Sequence, residues 1–401
     1  MSSNPRPGSL PTITPITKPL IGPEEAAAVA EVLDSGWLVQ GRRVQEFEKC
    51  FGDFVGAEYS VAATSCTTAM HLAVAALRLG PGDEVIVPAF TWISTANVVE
   101  YMGAKPVFVD IDPRTFNINP ARAADAITER TVGIMPVHLF GLAADMAAIG
   151  QLARNRGLWI VEDAACGFGA RIDGRHVGTF GTAGAFSFHP RKAITTGEGG
   201  MLTTNDEQIA NAARSLRDHG AERSDLDRHS ASDGTLLPAY RRLGFNYRMT
   251  DIQAAIGVVQ MDRADFVLAT RQAQAARYDV ALSRMSWLTA PYSPAGFLHG
   301  YQSYVAWFGD EAWETAALAA TSGRRTRYMA ALQERGIATR QGTHAAALQV
   351  YYRDRYGIAA DDFPIANAAD QLTLSLPLYA EMTPEVQDQV IAALADLATT
   401  A

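Results

Sequence analysis

Seven short apolar runs, each bounded by turn residues, recur through the first two-thirds of the 401-residue chain at the spacing of βαβ units. Several runs are apolar at every position, as strands buried on both faces of a sheet should be. Helical patterns at 68–79 and 145–156 fill two of the gaps. The pattern predicts an α/β fold with a mostly parallel, seven-stranded sheet between helices. The predicted strands are 61–64, 84–89, 106–111, 133–140, 158–163, 183–189 and 200–204.

The texture of the sequence changes after residue 257. A long helical pattern covers 258–284, and a strand-like run at 301–308 and helical patterns at 322–335 and 384–399 follow it. We therefore expect a large domain over 17–258 and a smaller C-terminal α+β domain over 259–401. Residues 1–16 are rich in Ser, Pro and Thr and lack the apolar core of a signal peptide, so we expect a flexible tail.

Charge and cysteine content narrow the functional class. A formal net charge of -9 argues against a nucleic-acid partner or an anionic membrane surface. No apolar run reaches the ~18 residues that a membrane-spanning helix needs. The three cysteines, an odd number, favour a reduced cytoplasmic protein over a disulfide framework. The histidines form no HExxH pattern and the cysteines no paired CxxC, so we expect no metal site.

One lysine, Lys192, lies between an apolar strand and a glycine-rich loop in the segment Ser187-Phe-His-Pro-Arg-Lys192. Burial disfavours the charged ammonium, so we expect a lowered pKa and an amine able to form a Schiff base with a carbonyl. A surface lysine in a loop is the alternative, and for this segment alone it is the more common one. Other segments of the sequence favour the catalytic interpretation of Lys192.

The run from Leu158 to Gly169 places Glu162 and Asp163 at the carboxyl end of a predicted strand, where open α/β sheets bind ligands. A carboxylate there can hold a protonated pyridine nitrogen, which keeps a pyridoxal ring a strong electron acceptor. The Gly167-Phe-Gly169 pattern lacks the third glycine of a dinucleotide fingerprint in its required place.

Two further segments follow predicted strands. Ser65-Cys66-Thr67 opens a helical pattern, where backbone N–H groups and the helix dipole can bind a phosphate. An ordinary helix N-cap is the alternative reading. Trp92 comes just past another strand, where an aromatic ring suits stacking on a planar cofactor, although a core role is open.

Taken in order along the chain, these segments resemble the DegT-type sugar aminotransferases, a fold-type I family that depends on pyridoxal phosphate (PLP). Gly36-Trp-Leu-Val-Gln-Gly41, Gly244-Phe-Asn246-Tyr-Arg248 and Ser375-Leu-Pro-Leu-Tyr379 are similar to the same family. The resemblance spans residues 18–395 and implies a large PLP-binding domain followed by the smaller one.

The resemblance also implies roles for individual residues. Lys192 forms the Schiff base and carries the proton between the substrate Cα and the cofactor C4′, and Asp163 pairs with the pyridinium nitrogen. Asn246 reaches the cofactor phosphate of a second subunit, which implies a homodimer with shared active sites. The remaining cofactor contacts fall on Ser65, Cys66, Thr67, Trp92, Cys166 and Ser187.

The substrate side departs from the family pattern. Cys166 stands where many members have glutamine beside the ring, and the segment holding Arg340 and His344 differs from the common His-Tyr-Pro pattern. Arg340 and His344 are therefore candidate substrate anchors, with structural roles equally open. Other candidate substrate residues are His189, Arg217 and Arg248, and the polar stretch 217–240 is either a mobile loop near the ligand or a solvated insertion.

The resemblance implies ping-pong transamination from L-glutamate to a ketosugar, most often a nucleotide-linked 4-keto-6-deoxyhexose. An aminotransferase acting on another ketone, such as a keto-cyclitol, is an alternative that the sequence separates poorly. A PLP-dependent sugar dehydratase of the same fold is another alternative. In those enzymes histidine replaces the lysine, so the presence of Lys192 argues against this alternative. A cofactor-binding regulator without turnover is a further alternative, opposed by the complete catalytic set and the lack of a DNA-binding module.

Overall fold

The computed structural model describes residues 13–222, 238–309 and 315–399. Its main feature is a seven-stranded sheet. The strands are β1 (Tyr59–Ala63), β2 (Glu84–Pro88), β3 (Lys105–Val109), β4 (Thr131–Ile134), β5 (Trp159–Asp163), β8 (Ala183–Ser187) and β9 (Gly200–Thr204). Their order in the sheet is β1-β9-β8-β5-β4-β2-β3. Strand β9 runs antiparallel to both of its neighbours, and the other pairs are parallel.

Helices cover this sheet, and several begin or end at residues that are favoured at helix termini. The helix after β1 starts at Ser65, whose side-chain oxygen accepts a hydrogen bond from Thr68 N at 3.1 Å. The helix before β1 ends at Gly56, whose φ of 79° favours glycine. The helices are α1 (Pro23–Ser35), α2 (Arg42–Val55), α3 (Cys66–Ala76), α4 (Ser94–Tyr101), α5 (Pro120–Asp125), α6 (Met146–Arg156), α7 (Glu207–Arg217) and α8 (Asp251–Asp262).

A second, smaller sheet lies in the C-terminal part of the chain. Strands β10 (Leu288–Thr289), β12 (Tyr304–Phe308) and β13 (Thr373–Leu376) pair antiparallel in that order. This part has a hydrophobic core of its own, to which Tyr278 and Val390 contribute fully buried side chains. Its helices are α9 (Ala264–Leu282), α10 (Thr315–Glu334), α11 (Val350–Tyr356), α12 (Pro364–Leu372) and α13 (Pro384–Thr399).

A short three-stranded ribbon connects the two parts of the chain. Strand β6 (Arg171–Ile172) pairs antiparallel with β7 (Arg175–His176) and with β11 (Phe297–Leu298). Because β11 comes from the C-terminal part, this ribbon ties it to the loop that follows β5.

The structure corrects three of the expected elements. The helix expected over 258–284 is two helices, α8 and α9, which break at Arg263 with φ -100° and ψ 0°. The strand expected over 133–140 ends at Ile134, and the chain turns at Leu139–Gly141, where Phe140 has a φ of 58°. The boundary expected after 258 falls inside α8, which packs against α1 and α2 of the large sheet's helical layer.

The expected flexible tail is also corrected in part. Residues 1–12 lie outside the described residues, but Thr14 is bound to the C-terminal part on both sides. Thr14 N donates to Gly336 O at 2.7 Å, and Thr14 O accepts from Ala338 N at 3.0 Å. Ile16 O accepts from Leu378 N at 3.1 Å. The chain from Thr14 to Ile16 is therefore an ordered strap, which the sequence composition did not indicate.

Among the described residues, we find no helix whose length and apolar character would let it cross a membrane.

Candidate active site

Four strands of the large sheet end at one cavity. Strands β1, β2, β5 and β8 all point the same way, because β9 alone is reversed between β1 and β8. Their carboxyl ends therefore lie along one edge of the sheet, where α/β folds bind ligands. The cavity at this edge has a volume of about 780 Å³, and Ser65, Trp92, Asp163 and Lys192 line it.

The side-chain amine of Lys192 contacts the thiol of Cys166, with 3.2 Å between Nζ and Sγ. Burial lowers the pKa of Lys192, as the sequence predicted, but Cys166, Cys66 and Asp163 together outweigh burial and leave the pKa raised. The expectation of a lowered pKa is therefore wrong for the protein without cofactor. The physical reason is that acidic groups surround the amine.

The carboxylate of Asp163 is buried and fixed in orientation. Thr95 Oγ1 donates a hydrogen bond to Asp163 Oδ2 at 2.6 Å, and Ala165 N donates to Oδ1 at 3.1 Å. Asp163 is 2% exposed. Among the residues that the structure describes, no cation forms an ion pair with Asp163, and such a buried carboxylate favours a ligand that brings a positive N–H group.

The N-terminus of α3 forms another wall of the cavity. Ser65, Cys66 and Thr67 line it, and a helix cannot satisfy its first-turn N–H groups internally. The Cys66 thiol points away, since Sγ lies 3.4 Å from Ala185 O, and burial raises its pKa well above the ordinary value. Only the backbone of Cys66 is therefore available to an anion, while Ser187 lines the same cavity from the end of β8.

Gly200 allows the close approach that shapes this wall. A Cβ atom at Gly200 would lie 2.3 Å from the carbonyl carbon and oxygen of Ser65 and 2.5 Å from Cys66 N. Since these are backbone atoms, they cannot move aside without shifting the start of α3. Glycine at this position therefore keeps the N-terminus of the helix in place.

Aromatic and imidazole rings form the outer rim. Trp92 lines the cavity with 58% of its surface exposed, and its ring centroid lies 6.2 Å from that of His344. His344 Nδ1 is 3.8 Å from Asp370 Oδ1. His189 lies deeper and accepts a hydrogen bond from Arg191 N at 3.2 Å, and burial lowers its pKa.

The structure does not bring three of the expected residues into this cavity. Arg217 is buried elsewhere and donates to Glu48 Oε1 and Ala62 O, both at 2.6 Å. Arg248 pairs with Asp218 at 2.5 Å, and Asn246 forms a backbone bridge with that same aspartate. Within a single chain, the charges of Arg217 and Arg248 are thus already paired with carboxylates, and their roles toward a substrate stay a prediction.

The polar stretch 217–240 lies largely outside the described residues, since 223–237 are not among them. The parts that are described line a separate cavity of about 820 Å³ beside Glu48, together with Arg241 and Arg242. This second cavity does not include the Lys192 amine.

Sequence reasoning missed several residues that line or support the main cavity. Thr95 lies one helical turn after Trp92, which was the available signal for it. Arg191 is the chain neighbour of Lys192. Ile16 ends the strap, Thr17 follows it, and Gln302 comes from the C-terminal part, and no local pattern marks these three residues.

The residues present fit one class of cofactor. A lysine amine can hold an aldehyde carbon, the Asp163 carboxylate can hold a protonated ring nitrogen, and the N-terminus of α3 can bind a phosphate. All three surround one cavity, and Trp92 offers an aromatic wall to a planar ring. The fold and this donor set define the chain as a PLP-dependent enzyme of the α/β class.

Comparisons with known proteins identify the family. Residues 19–395 match the model of the DegT/DnrJ/EryC1/StrS aminotransferase family, and the chain belongs to that family. The spore coat polysaccharide biosynthesis protein SpsC of Bacillus subtilis is 40% identical, with 96% of both chains covered. The GDP-perosamine synthase of Caulobacter vibrioides is 40% identical over 96% of this chain and 98% of its own. The crystal structure of the aminotransferase TlmJ from Streptoalloteichus hindustanus has a TM-score of 0.86 at 32% identity and covers 97% of this chain and all of that one.

These findings confirm the expected family, the α/β fold, the aminotransferase activity and the cofactor. The chain is therefore a PLP-dependent aminotransferase. The roles of individual site residues, the substrates and the assembly remain proposals.

Proposed function

We propose that this aminotransferase moves an amino group from L-glutamate to a ketosugar, a nucleotide-linked 4-keto-6-deoxyhexose. The observation that carries the proposal is the grouping of Lys192, Asp163 and the N-terminus of α3 around one cavity of about 780 Å³. Small-molecule sites have volumes of roughly 300–1,000 Å³, so this one has room for a cofactor and a substrate. The similarity to a GDP-perosamine synthase supports a sugar acceptor.

When bound, PLP supplies the electron sink for the bonds broken at the substrate carbon. Lys192 Nζ would hold the aldehyde carbon of the cofactor, and its free amine would move a proton between the substrate Cα and the cofactor. The Asp163 carboxylate would accept a hydrogen bond from the ring nitrogen and keep it protonated. The charge of Asp163 is one of those that raise the pKa of Lys192. A protonated ring nitrogen beside Asp163 would offset that charge and so favour the neutral amine, which is the form that acts as a base.

Trp92 would offer its ring to the cofactor, and the backbone of Cys66 with Ser65, Thr67 and Ser187 would hold the phosphate, since all of them line the cavity. Asn246 lies outside the cavity of its own chain, which supports a role in the site of a second copy. We therefore propose a homodimer in which Asn246 of one copy completes the phosphate site of the other. The three free thiols support a cytoplasmic location.

The test of the substrates uses L-glutamate carrying heavy nitrogen, with a panel of nucleotide-linked 4-ketosugars and a keto-cyclitol. Mass spectrometry of the products should show the heavy nitrogen in an aminosugar nucleotide. Labelling of the keto-cyclitol alone would reject the sugar acceptor and favour the alternative ketone. When unlabelled L-glutamine is present together with the labelled L-glutamate, an aminosugar that carries no heavy nitrogen would reject glutamate as the donor.

The test of the shared sites is complementation between two variants. Lys192→Ala lacks the amine and Asn246→Ala lacks the phosphate contact from the second copy. A mixed dimer of the two contains one site with both residues intact, so mixing them after dissociation should restore activity. Mixed dimers no more active than the Asn246→Ala dimer would show that each chain supplies its own complete site.

A further inference from the structure

Two arginines face the active-site cavity from different parts of the chain. Arg191 lies on the loop after β8, next to Lys192, and Arg340 lies on the segment that pairs with β13. Within residues 13–222, 238–309 and 315–399, neither guanidinium has a hydrogen-bond or ion-pair partner. Most other arginines near the two cavities are paired, such as Arg217 with Glu48 and Arg248 with Asp218.

The backbones of both arginines are held in place. Gln302 Nε2 donates to Arg191 O at 3.1 Å, and Ser375 N donates to Arg340 O at 2.7 Å. Both side chains are thus attached to fixed positions on the wall of one cavity. Burial lowers the pKa of Arg340, and the charge of Arg191 lowers it further, so the two like charges are close enough to repel. An anion placed between them relieves that repulsion.

The cavity wall beside Arg340 has further unused polar groups. The hydroxyl oxygens of Thr17 and Thr339 are inaccessible to solvent and lack a hydrogen-bond partner in the part of the chain that is described. Both residues line the cavity. Leaving a buried hydroxyl without a hydrogen-bond partner is unfavourable, because the group has lost its hydrogen bonds to water. The hydroxyl groups of Thr17 and Thr339 are therefore available to hydrogen-bond a polar ligand in the cavity.

We propose that Arg191 and Arg340 form a clamp for the carboxylate groups of the amino donor. This inference rests on the proposed transfer from L-glutamate and names the residues that select the donor. A guanidinium is planar and binds a carboxylate through two parallel hydrogen bonds, so two of them suit a dicarboxylate. Two carboxylates, those of Asp163 and Glu198, also line the cavity. The three cationic side chains of Arg191, Arg340 and Lys192 outnumber them.

The position of the clamp favours the donor over the diphosphate of a sugar nucleotide. In an amino acid one carboxylate is bonded directly to the carbon that carries the amine. In a nucleotide-linked 4-ketosugar the sugar ring separates the diphosphate from the reacting carbon. Because Arg191 adjoins Lys192 in the chain, the anion it binds belongs close to the reacting carbon.

The experiment compares Arg191→Gln, Arg340→Gln and Arg340→Lys with the wild-type protein. One readout is the half-saturation concentration of L-glutamate in the first half-reaction, followed by the visible absorbance of the cofactor. A second readout is calorimetric binding of glutarate, an unreactive dicarboxylate, to the protein without cofactor. Arg156→Gln is the control, since Arg156 is exposed at the end of α6 and lines neither cavity.

We expect each Gln variant to raise the half-saturation concentration of L-glutamate and the dissociation constant of glutarate about 10- to 100-fold. The Arg340→Lys variant should lose less affinity than Arg340→Gln, because lysine keeps the positive charge but cannot make the two parallel hydrogen bonds of a guanidinium. The half-saturation concentration of the ketosugar in the second half-reaction should not change. Arg191 lies on an exposed loop, so its variant tests the clamp even if an Arg340 variant fails to fold.

Wild-type affinity for glutarate in both Gln variants would overturn the clamp. Weaker binding of the ketosugar with unchanged glutamate binding would also overturn it, because the arginines would then bind the diphosphate. A wild-type protein that binds glutarate but does not react with L-glutamate would instead reject the proposed donor and leave the anion clamp standing. The two failures are therefore distinguishable.

Discussion

The hydroxyl of Thr95 donates a 2.6 Å hydrogen bond to Oδ2 of Asp163, although 68 residues separate the two in the chain. Thr95 comes from the first turn of α4, and Asp163 is the last residue of β5. The helix after one strand thus orients the carboxylate at the end of another. Thr95 is a positioning residue, since it acts on the cofactor through Asp163 and does not line the cavity itself.

Replacing Asp163 and Thr95 should therefore produce graded losses. Asp163→Asn removes the charge that keeps the ring nitrogen protonated, and we expect turnover to fall about 100-fold, the value of a charge-assisted hydrogen bond. Thr95→Val should cost less, about 10-fold, because it only loosens the carboxylate. Single-turnover rates with L-glutamate measure both, and Thr95→Ser is the control that keeps the hydroxyl. Equal rates in Thr95→Val and the wild type would remove Thr95 from the site.

Gly200→Ala should weaken cofactor binding without unfolding the chain. Its Cβ would overlap the backbone at Ser65 and Cys66 and move the N-terminus of α3, and such overpacking costs about 1–3 kcal/mol. We expect the dissociation constant for PLP, from an absorbance titration, to rise about 10-fold. Gly80→Ala is the matched control, since the nearest atom to its Cβ is 4.0 Å away. Equal effects of both substitutions would show that the α3 wall does not bind the phosphate.

Cys166→Ala should lower the pKa of the Lys192 amine in the protein without cofactor. Burial lowers that pKa, and Cys166 is the first of the groups that oppose burial. Only the neutral amine attacks an aldehyde, so a lower pKa makes the amine reactive at lower pH. The pH dependence of the rate at which the PLP absorbance band forms should therefore shift to lower pH.

The matched control is Cys50→Ala, because the Cys50 thiol lies on α2 and contacts Phe47 O instead of the lysine. A pH profile that stays in place for Cys166→Ala, or that moves equally for Cys50→Ala, would show that the 3.2 Å contact between Cys166 and Lys192 does not control the amine.

Stability should decline as the pH falls below 6.5, because two buried histidines resist protonation. Burial lowers the pKa of His176 to about 4 and that of His299 to about 3, from an ordinary value of 6.5. Below pH 6.5 the unfolded chain binds protons at these sites and the folded chain does not. Each histidine therefore removes about 1.4 kcal/mol per pH unit, from pH 6.5 until its folded pKa is reached.

Urea unfolding over this pH range tests the prediction with His176→Gln. Gly169 N donates to His176 Nε2 at 2.8 Å, and a glutamine oxygen can accept in its place. The slope of the unfolding free energy against pH should be flatter in this variant. His219→Asn is the control, since His219 is exposed and its φ of 57° suits asparagine. The same slope in the wild type and His176→Gln would contradict the argument.

The large sheet could be predicted well because of how it is buried. Strands covered on both faces are rich in apolar residues and bounded by turn residues, so β5 and β9 were located to within a residue. The prediction for β4 was too long because the regular ladder ends at Ile134, although hydrogen bonds to β5 continue as far as His138 N, which donates to Asp163 O at 3.0 Å. A run of apolar residues marks burial, and it does not mark where the regular pairing of a strand ends.

Local sequence placed Asp163 and Lys192 near one ligand, because Asp163 ends one strand and Lys192 lies on the loop after another, and both residues line the cavity. Their catalytic roles stay a prediction. Local sequence placed the substrate side only in part. The charge of Arg217 suggested a ligand, but only the folded chain reveals Glu48 against it. Thr17 and Arg340 line the same cavity because the strap pairs with the C-terminal part over a long sequence distance, which no local pattern encodes.

The most direct test of the account follows the visible absorbance of the purified protein with PLP during addition of L-glutamate and then of a nucleotide-linked 4-ketosugar. We expect a yellow band that L-glutamate bleaches and the ketosugar restores, and no such cycle in Lys192→Ala. A band in the wild type that L-glutamate leaves unchanged would contradict the proposed donor. A complete cycle in Lys192→Ala without added amine would contradict the central role of Lys192.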